Sequence, residues 1–419
     1  MRTTLALCGL VLGALLLSGC RGREEEPFAF PPDIKPDYEK QLAPGQLALR
    51  RITDPRLIPD FTPACADLGG LREAVRQSLD WLDKPSSRKA FPYGEVTHEQ
   101  AVASLNAFLA LADSNLPPGQ MNAEIRKQFD VYMSVGCDNR GTVLFTCYYT
   151  PIFEGSETRT EKFRHPLYKA PPGLLKLPDG TPASPLPDRK TIETSGMYVG
   201  NELVWMADPF EAYVAQIQGS VRVRMAGGNE VTVGYTANNG HDYKSVRAEL
   251  VKDGKIGKRE GLPAMIAYFR KYPAEVTSYT WRNPRYVFFA PIEDGRPRGC
   301  LGVPVTARRS LATDKRIFPP ACLAMAATAL PARRGATITD VPFAGFLLDQ
   351  DSGGAIRAPG RSDVYLGIGP EAGELAGRAQ NEGKLYYIFL KPGARTTPAL
   401  PPTTSPPPAA APAPADPKP

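Results

Sequence analysis

The chain has 419 residues, with 50 Lys plus Arg against 44 Asp plus Glu and a formal net charge of +6. That mild balance, with no dense Lys/Arg block, argues against a nucleic-acid binder, and no nucleic acid is expected as a partner. Seven cysteines without a Cys-x-x-Cys pair and three histidines (His98, His165, His241) leave little from which to build a zinc site, so no metal or other cofactor is expected.

The first twenty residues, MRTTLALCGLVLGALLLSGC, place one Arg before a short apolar run that ends in small residues and Cys20. This is the layout of a secretory signal, too short and weakly flanked for a transmembrane span. Its ending, Leu17-Ser18-Gly19-Cys20, resembles a bacterial lipobox. The resemblance implies lipidation of Cys20 and, with Arg21 following, an outer-membrane lipoprotein facing the periplasm of a Gram-negative bacterium. Five cysteines then remain (Cys65, Cys137, Cys147, Cys300, Cys322), so at most two disulfides can form.

A Pro-rich linker covers 21–46, and helical patterns follow. In LREAVRQSLDWLDK, residues Leu71, Val75, Leu79 and Leu82 share one face. THEQAVASLNAFLALADS opens with a capping-box pattern, Thr97 then Gln100, and MNAEIRKQFDVYMS is a third helix candidate. From about 142 the period becomes that of strands: TVLFTCYYT, LVWMA (203–207), YVAQIQGSVRVRM (213–225), EVTVGYT (230–236), RYVFFAP (285–291), FAGFLLDQD (343–351), DVYLGIG (363–369) and LYYIFLKP (385–392). Two helices, KSVRAELVKDG and GLPAMIAYFRKYP, interrupt them. Many short strands without strand–helix alternation predict a mainly β fold of barrels, with helices in the N-terminal part. Residues 393–419 form a Pro/Ala-rich tail with too few large apolar groups to fold.

The segment DQDSGGAIRAPGRSDVYLGIG (349–369) carries three aspartates and a glycine pair. It lacks the carboxylate spacing of a calcium loop and the Gly-Lys of a phosphate loop. By strand period, Asp363, Tyr365 and Gly367 share a face, which suits an acid set in the wall of a sugar cleft. Gly353-Gly354 predicts a sharp turn or a close approach.

Five segments in order, YYTPIFEGS, LVWMADPFEAYVAQIQGSVRV, GYTANNGHDYKSV, NPRYVFFAP and DSGGAIRAPGRSDVYLGIGPEAG, together resemble the membrane-bound lytic murein transglycosylase A family, with its C-terminal three-aspartate module. The resemblance covers about 140–392. It implies a double-psi β-barrel domain (47–150 and 286–392) and a second, smaller inserted barrel domain (151–285), with a glycan groove between them. It also implies cleavage of the MurNAc-GlcNAc β-1,4 bond of peptidoglycan with formation of 1,6-anhydro ends. Asp363 matches the family's catalytic acid and Asp351 the accompanying aspartate, while Asp349 is given a structural or surface role. Tyr148, Tyr149, Thr150, Gln218, Gly219, Ser220, Asn239, His241, Tyr243 and Arg361 are the substrate-binding candidates, with peptidoglycan strands as the partner and a monomer as the expected state. Arg361 is expected to stand off the Asp363 carboxyl, because direct contact would lower its pKa. A lysozyme-type hydrolase using Asp351 as second carboxylate, a non-catalytic peptidoglycan-binding lipoprotein and a calcium-dependent surface protein are the rival readings.

Overall fold

The computed structural model describes residues 36–177, 181–258 and 260–393. Cys20 and the tail from residue 394 onward lie outside them. In chain order the elements are β1 (Leu49–Arg51), α1 (Thr62–Cys65), α2 (Leu71–Leu82), α3 (His98–Asp113), α4 (Pro118–Gln128), β2 (Phe129–Ser134) and β3 (Val143–Thr150). Next come β4 (Ile152–Ser156), β5 (His165–Tyr168), α5 (Arg189–Ser195), β6 (Glu202–Met206), α6 (Pro209–Gln218), β7 (Ser220–Met225), β8 (Glu230–Asn238), α7 (Val246–Lys252), α8 (Leu262–Lys271), α9 (Val276–Thr280) and β9 (Val287–Pro291). The chain ends with β10 (Ser310–Ala312), β11 (Leu323–Arg334), β12 (Thr337–Asp351), β13 (Arg361–Ile368), α10 (Pro370–Ala376) and β14 (Asn381–Leu390).

The first sheet runs β1-β2-β14-β11-β12-β10-β13-β3, and β3 also pairs with β14. That extra pairing closes six strands into a barrel and leaves β1 and β2 as an extension. Two of its neighbour pairs, β10–β12 and β13–β3, are parallel, in a ring that is otherwise antiparallel. This is the double-psi arrangement the resemblance implied. Alternating residues fill the inside: Val143 and Phe145, Val364, Leu385, Tyr387 and Phe389 meet Phe318 and Leu347. The helices α1 to α4 cover the opposite face of β12 and β14 through Phe61, Leu105, Phe108, Phe346 and Ile388. Burying such faces supplies most of the driving force for the fold.

The second sheet runs β5-β6-β4-β7-β8-β9. A bridge between Lys169 and Phe289 links its two edges, and Leu167, Val204, Val223, Val233 and Phe289 lie in its core. Only Pro151 separates β3 from β4, so the chain steps directly from one barrel into the next. Val287–Pro291 pairs with β8 in this second sheet. The boundary at 285/286 therefore splits off a strand that belongs with the insert; its alternation shows a strand but not which sheet takes it.

Three local readings need correction. YVAQIQGSVRVRM is not one strand: Pro209–Gln218 is a helix and only Ser220–Met225 is extended. Asp208 caps that helix by accepting from Phe210 N and Glu211 N at 2.7 and 3.0 Å, and Pro209 occupies its first turn. Gly219, at φ +77°, ends it in the left-handed region open to glycine. MNAEIRKQFDVYMS likewise changes from helix to strand at Phe129, which is buried among the helices. Third, β13 shifts register between Tyr365 and Ile368, and Gly367 sits at φ +116°, so the alternation from Asp363 does not carry through Gly367. The Thr97 cap holds, accepting from Gln100 N at 3.1 Å, but the Gln100 side chain donates to Leu390 O rather than completing the box.

Candidate active site

The site lies where β10 and β12 end and β13 begins, beside Thr146 and Tyr148 in the middle of β3. Ser362 and Val364 of β13 are buried toward the barrel interior, which turns Arg361, Asp363 and Tyr365 to the other face. Asp363 stands beside Thr146 of β3 in the parallel register. Its carboxyl is half-buried, and Oδ1 is shut away from solvent with no hydrogen-bond partner. Burial pushes its pKa up to about 7; Arg361 and a hydrogen bond from Thr146 oppose the shift, and Asp351 adds to it. An aspartate in this state carries a proton near neutral pH, as a general acid requires.

Asp351, at the end of β12, is held from all sides. Its Oδ2 accepts from Tyr148 OH at 2.7 Å, and its Oδ1 accepts from Cys300 N and Ser352 N, each at 2.8 Å. Burial pushes its pKa up, and those donors together with Lys315 pull it back. Both oxygens are committed to the protein, which leaves Asp351 acting on Asp363 through its charge. The Tyr148 ring lies against Tyr365, centroids 5.1 Å apart. Tyr365 OH meets Thr150 Oγ1 at 3.0 Å.

Asp349 is fully buried, which removes the surface option for it. Its Oδ1 meets Lys315 Nζ at 2.5 Å, and its Oδ2 accepts from Thr313 Oγ1 at 2.7 Å and Tyr387 OH at 2.8 Å. The same ammonium donates to the Asp351 carbonyl, so this buried pair fixes the strand end from which Asp351 projects.

The proposed binding residues divide. Tyr148, Tyr243 and Arg361 lie at the site. A Cβ on Gly354 would stand 3.2 Å from Tyr243 Cβ and 3.5 Å from Arg285 Nε. Gly354 is therefore there for close approach, and it lets the second barrel's residues come down on the Asp351 loop. Arg285 Nη1 in turn donates to His241 O at 3.1 Å.

Several others have their polar groups engaged within the protein. Tyr149 is buried against α10, where a Cβ on Gly373 would strike its ring at 2.6 Å. Thr150 and Ser220 are buried and bonded to each other at 2.9 Å. Gln218 Oε1 accepts from Tyr149 N at 3.1 Å, and Gly219 serves as the helix cap just described. These residues join the barrels. Asn239 is fully buried: its Oδ1 accepts from Tyr286 N, and its Nδ2 donates to Pro187 O and Pro284 O. His241 Nε2 bonds Leu186 O at 2.8 Å, a structural contact. Polar-small-polar strings serve turns as readily as ligands, and composition does not separate the two.

Sequence reasoning missed Thr146, Lys315, Arg285 and the Cys300 amide. Thr146 was within reach, two residues before Tyr148 on the same strand face. Arg285 opens the RYVFFAP run without standing out in it, and Lys315 and Cys300 come from remote loops with no periodic signal. All five cysteines of the described residues are free thiols. Among those residues no group of His, Cys, Asp or Glu could hold a metal ion, and no helix is long and apolar enough to cross a membrane.

The chain thus combines a double-psi barrel, an inserted second barrel and a half-buried carboxyl, Asp363, one of whose oxygens has no partner. A family model for the MltA specific insert domain matches residues 144–290, and one for the 3D domain matches 309–389. Membrane-bound lytic murein transglycosylase A of Escherichia coli K12 is 30% identical over 270 residues, which cover 63% of this chain and 70% of that protein. The Vibrio cholerae protein of the same name is 28% identical, covering 64% and 71%. The E. coli MltA structure with bound chitohexaose gives a TM-score of 0.64 at 25% identity, covering 86% of this chain and all of that one. A membrane-bound lytic murein transglycosylase from Agrobacterium tumefaciens shares the fold, with a TM-score of 0.67 at 24% identity over 82% and 98%. The chain belongs to the membrane-bound lytic murein transglycosylase A family.

Proposed function

We propose that this chain is a peptidoglycan lytic transglycosylase in which Asp363 alone serves as acid and then base. The observation that carries this reading is the carboxyl itself: half-buried, with a partnerless Oδ1, and protonated to about pH 7. Asp363 gives its proton to the oxygen between muramic C1 and the next sugar's C4, and that C1–O bond breaks. The muramic 6-hydroxyl then bonds to C1, and the Asp363 carboxylate takes the proton from O6. The acid returns to its starting state and no water is consumed. The nucleophile belongs to the substrate, so positioning replaces a second base; intramolecular arrangements of this kind supply about 7–11 kcal/mol.

The state of Asp351 favours this over hydrolysis. A hydrolase needs a second carboxylate free to attack or to activate water, and both Asp351 oxygens are engaged. A glycan as partner is supported by the chitohexaose held by the E. coli relative. The relatives' names speak of membrane binding, which supports membrane association; the lipobox-like ending at Cys20 is what points to a lipid anchor and an outer-membrane site of action. On this reading 151–291 is the inserted domain, and the flanking segments make the catalytic one.

The test is mass analysis of muropeptides released from purified sacculi by the protein lacking residues 1–20, beside Asp363→Asn. Products with 1,6-anhydro-muramic ends that vanish with the variant are expected. Reducing ends would point to hydrolysis, and binding to sacculi without release would point to a carbohydrate-binding module.

A further inference from the structure

Arg361 is the one guanidinium on the Asp363 face of β13. The register places it level with Leu144 of β3, which in turn faces Glu382 of β14. It stands one row from Asp363 and Thr146, about 7 Å along the strand. It forms no ion pair with any described residue. Its Nε is buried with no hydrogen-bond partner, and its Nη2 makes only a 3.5 Å contact to Thr146 Oγ1. Glu382, across Leu144 from it, already accepts from Tyr38 OH. A guanidinium donor withdrawn from water and left unpaired costs stability unless something else completes it. It stands beside the reacting carboxyl, which makes that partner part of the substrate.

Resting on the transglycosylase reading, we propose that Arg361 is a specificity residue that binds the carboxylate of the lactyl group on muramic acid. That carboxylate hangs directly from the sugar ring. It is free where the strand has lost its stem peptide, and it is a neutral amide where the peptide remains. A guanidinium meets a carboxylate with parallel, charge-assisted bonds; an amide carbonyl offers only one neutral bond. The chain therefore prefers strands stripped of peptide, and it works after the class of reaction that cleaves the lactyl amide.

The test compares kcat/KM on peptide-free glycan strands with the same strands after their lactyl carboxylates are converted to primary amides. The wild type is expected to favour the carboxylate strands by about tenfold or more, the scale of a hydrogen bond to a charged group. Arg361→Gln is expected to lose that preference, and Arg361→Lys to keep part of it. Because the ratio compares two substrates on one protein, it cancels any effect of the substitution on Asp363. Equal cleavage of both strands by the wild type would overturn the proposal, as would an equal fall on both with Arg361→Gln. Asp363→Asn run alongside keeps the two readings apart. If it still cut both strands the acid assignment would fail, while the wild-type ratio would still judge Arg361.

Discussion

Asp349 and Asp363 are aspartates fourteen residues apart on strands of one barrel, both pushed up by burial, and their surroundings are opposite. Asp349 is sealed from solvent and fully answered by Lys315, Thr313 and Tyr387. Asp363 is open on one side and has a carboxyl oxygen with no partner. Desolvation disfavours charge in both. The first is compensated by an ammonium and two hydroxyls, which makes it a structural pin. The second is compensated by little, so it holds a proton, which is what the proposed acid role needs. Burial alone does not separate the two; how far donors and cations offset it does.

The largest expected effect comes from removing the reactive member. Asp363→Asn should cost about 10²–10⁴-fold in kcat, the usual contribution of a general acid, read from release of anhydro-muropeptides. It should also stabilise the fold. The folded carboxyl titrates near 7 against 3.8 for an ordinary aspartate, so between about pH 4 and pH 7 the native state holds a proton the unfolded chain gives up. Stability from this group falls as pH rises through that window. The variant's advantage should therefore be absent at pH 4 and complete above pH 7, as followed by denaturant midpoints. Lys315→Met attacks the other member. It leaves Asp349 buried without its cation and should cost about 3–5 kcal/mol of stability, part of which Lys315→Met with Asp349→Asn should restore. Tyr148→Phe is smaller. It strips one donor from Asp351, at about 1–3 kcal/mol in unfolding free energy.

What the sequence made legible follows from the range over which each signal acts. Thr97, the Leu71–Leu82 stripe and the alternation in β3 and β14 are local patterns, and each lies where expected. The strand reading of 213–218 failed because Tyr213, Val214 and Ile217 suit either period; Asp208, Pro209 and Gly219 settle it as a helix. In the site, Asp351 and Asp363 could be singled out because they sit in one short segment beside glycines. The internal partners of Asn239 and Ser220, the Pro284 carbonyl and the Thr150 hydroxyl, come from distant chain and leave no local pattern. Lys315 was invisible for the same reason.

The smallest effects are also the most diagnostic, because two neighbours of Asp363 act with opposite sign. Arg361 lowers its pKa and Asp351 raises it, with Arg361 the stronger of the two. The acid works when protonated, so kcat/KM should fall as pH rises through about 7 in the wild type. Arg361→Gln should move that descending limb to higher pH. Asp351→Asn keeps an acceptor for the tyrosine but removes the charge, and it should move the limb to lower pH by less than about one unit. Measured as full pH profiles on one neutral glycan substrate, the two shifts should straddle the wild type. Shifts of the same sign would mean that the variants disturb the burial of Asp363 rather than its charges. The contrast with Asp349 would then rest on solvent access alone, not on the neighbouring charges.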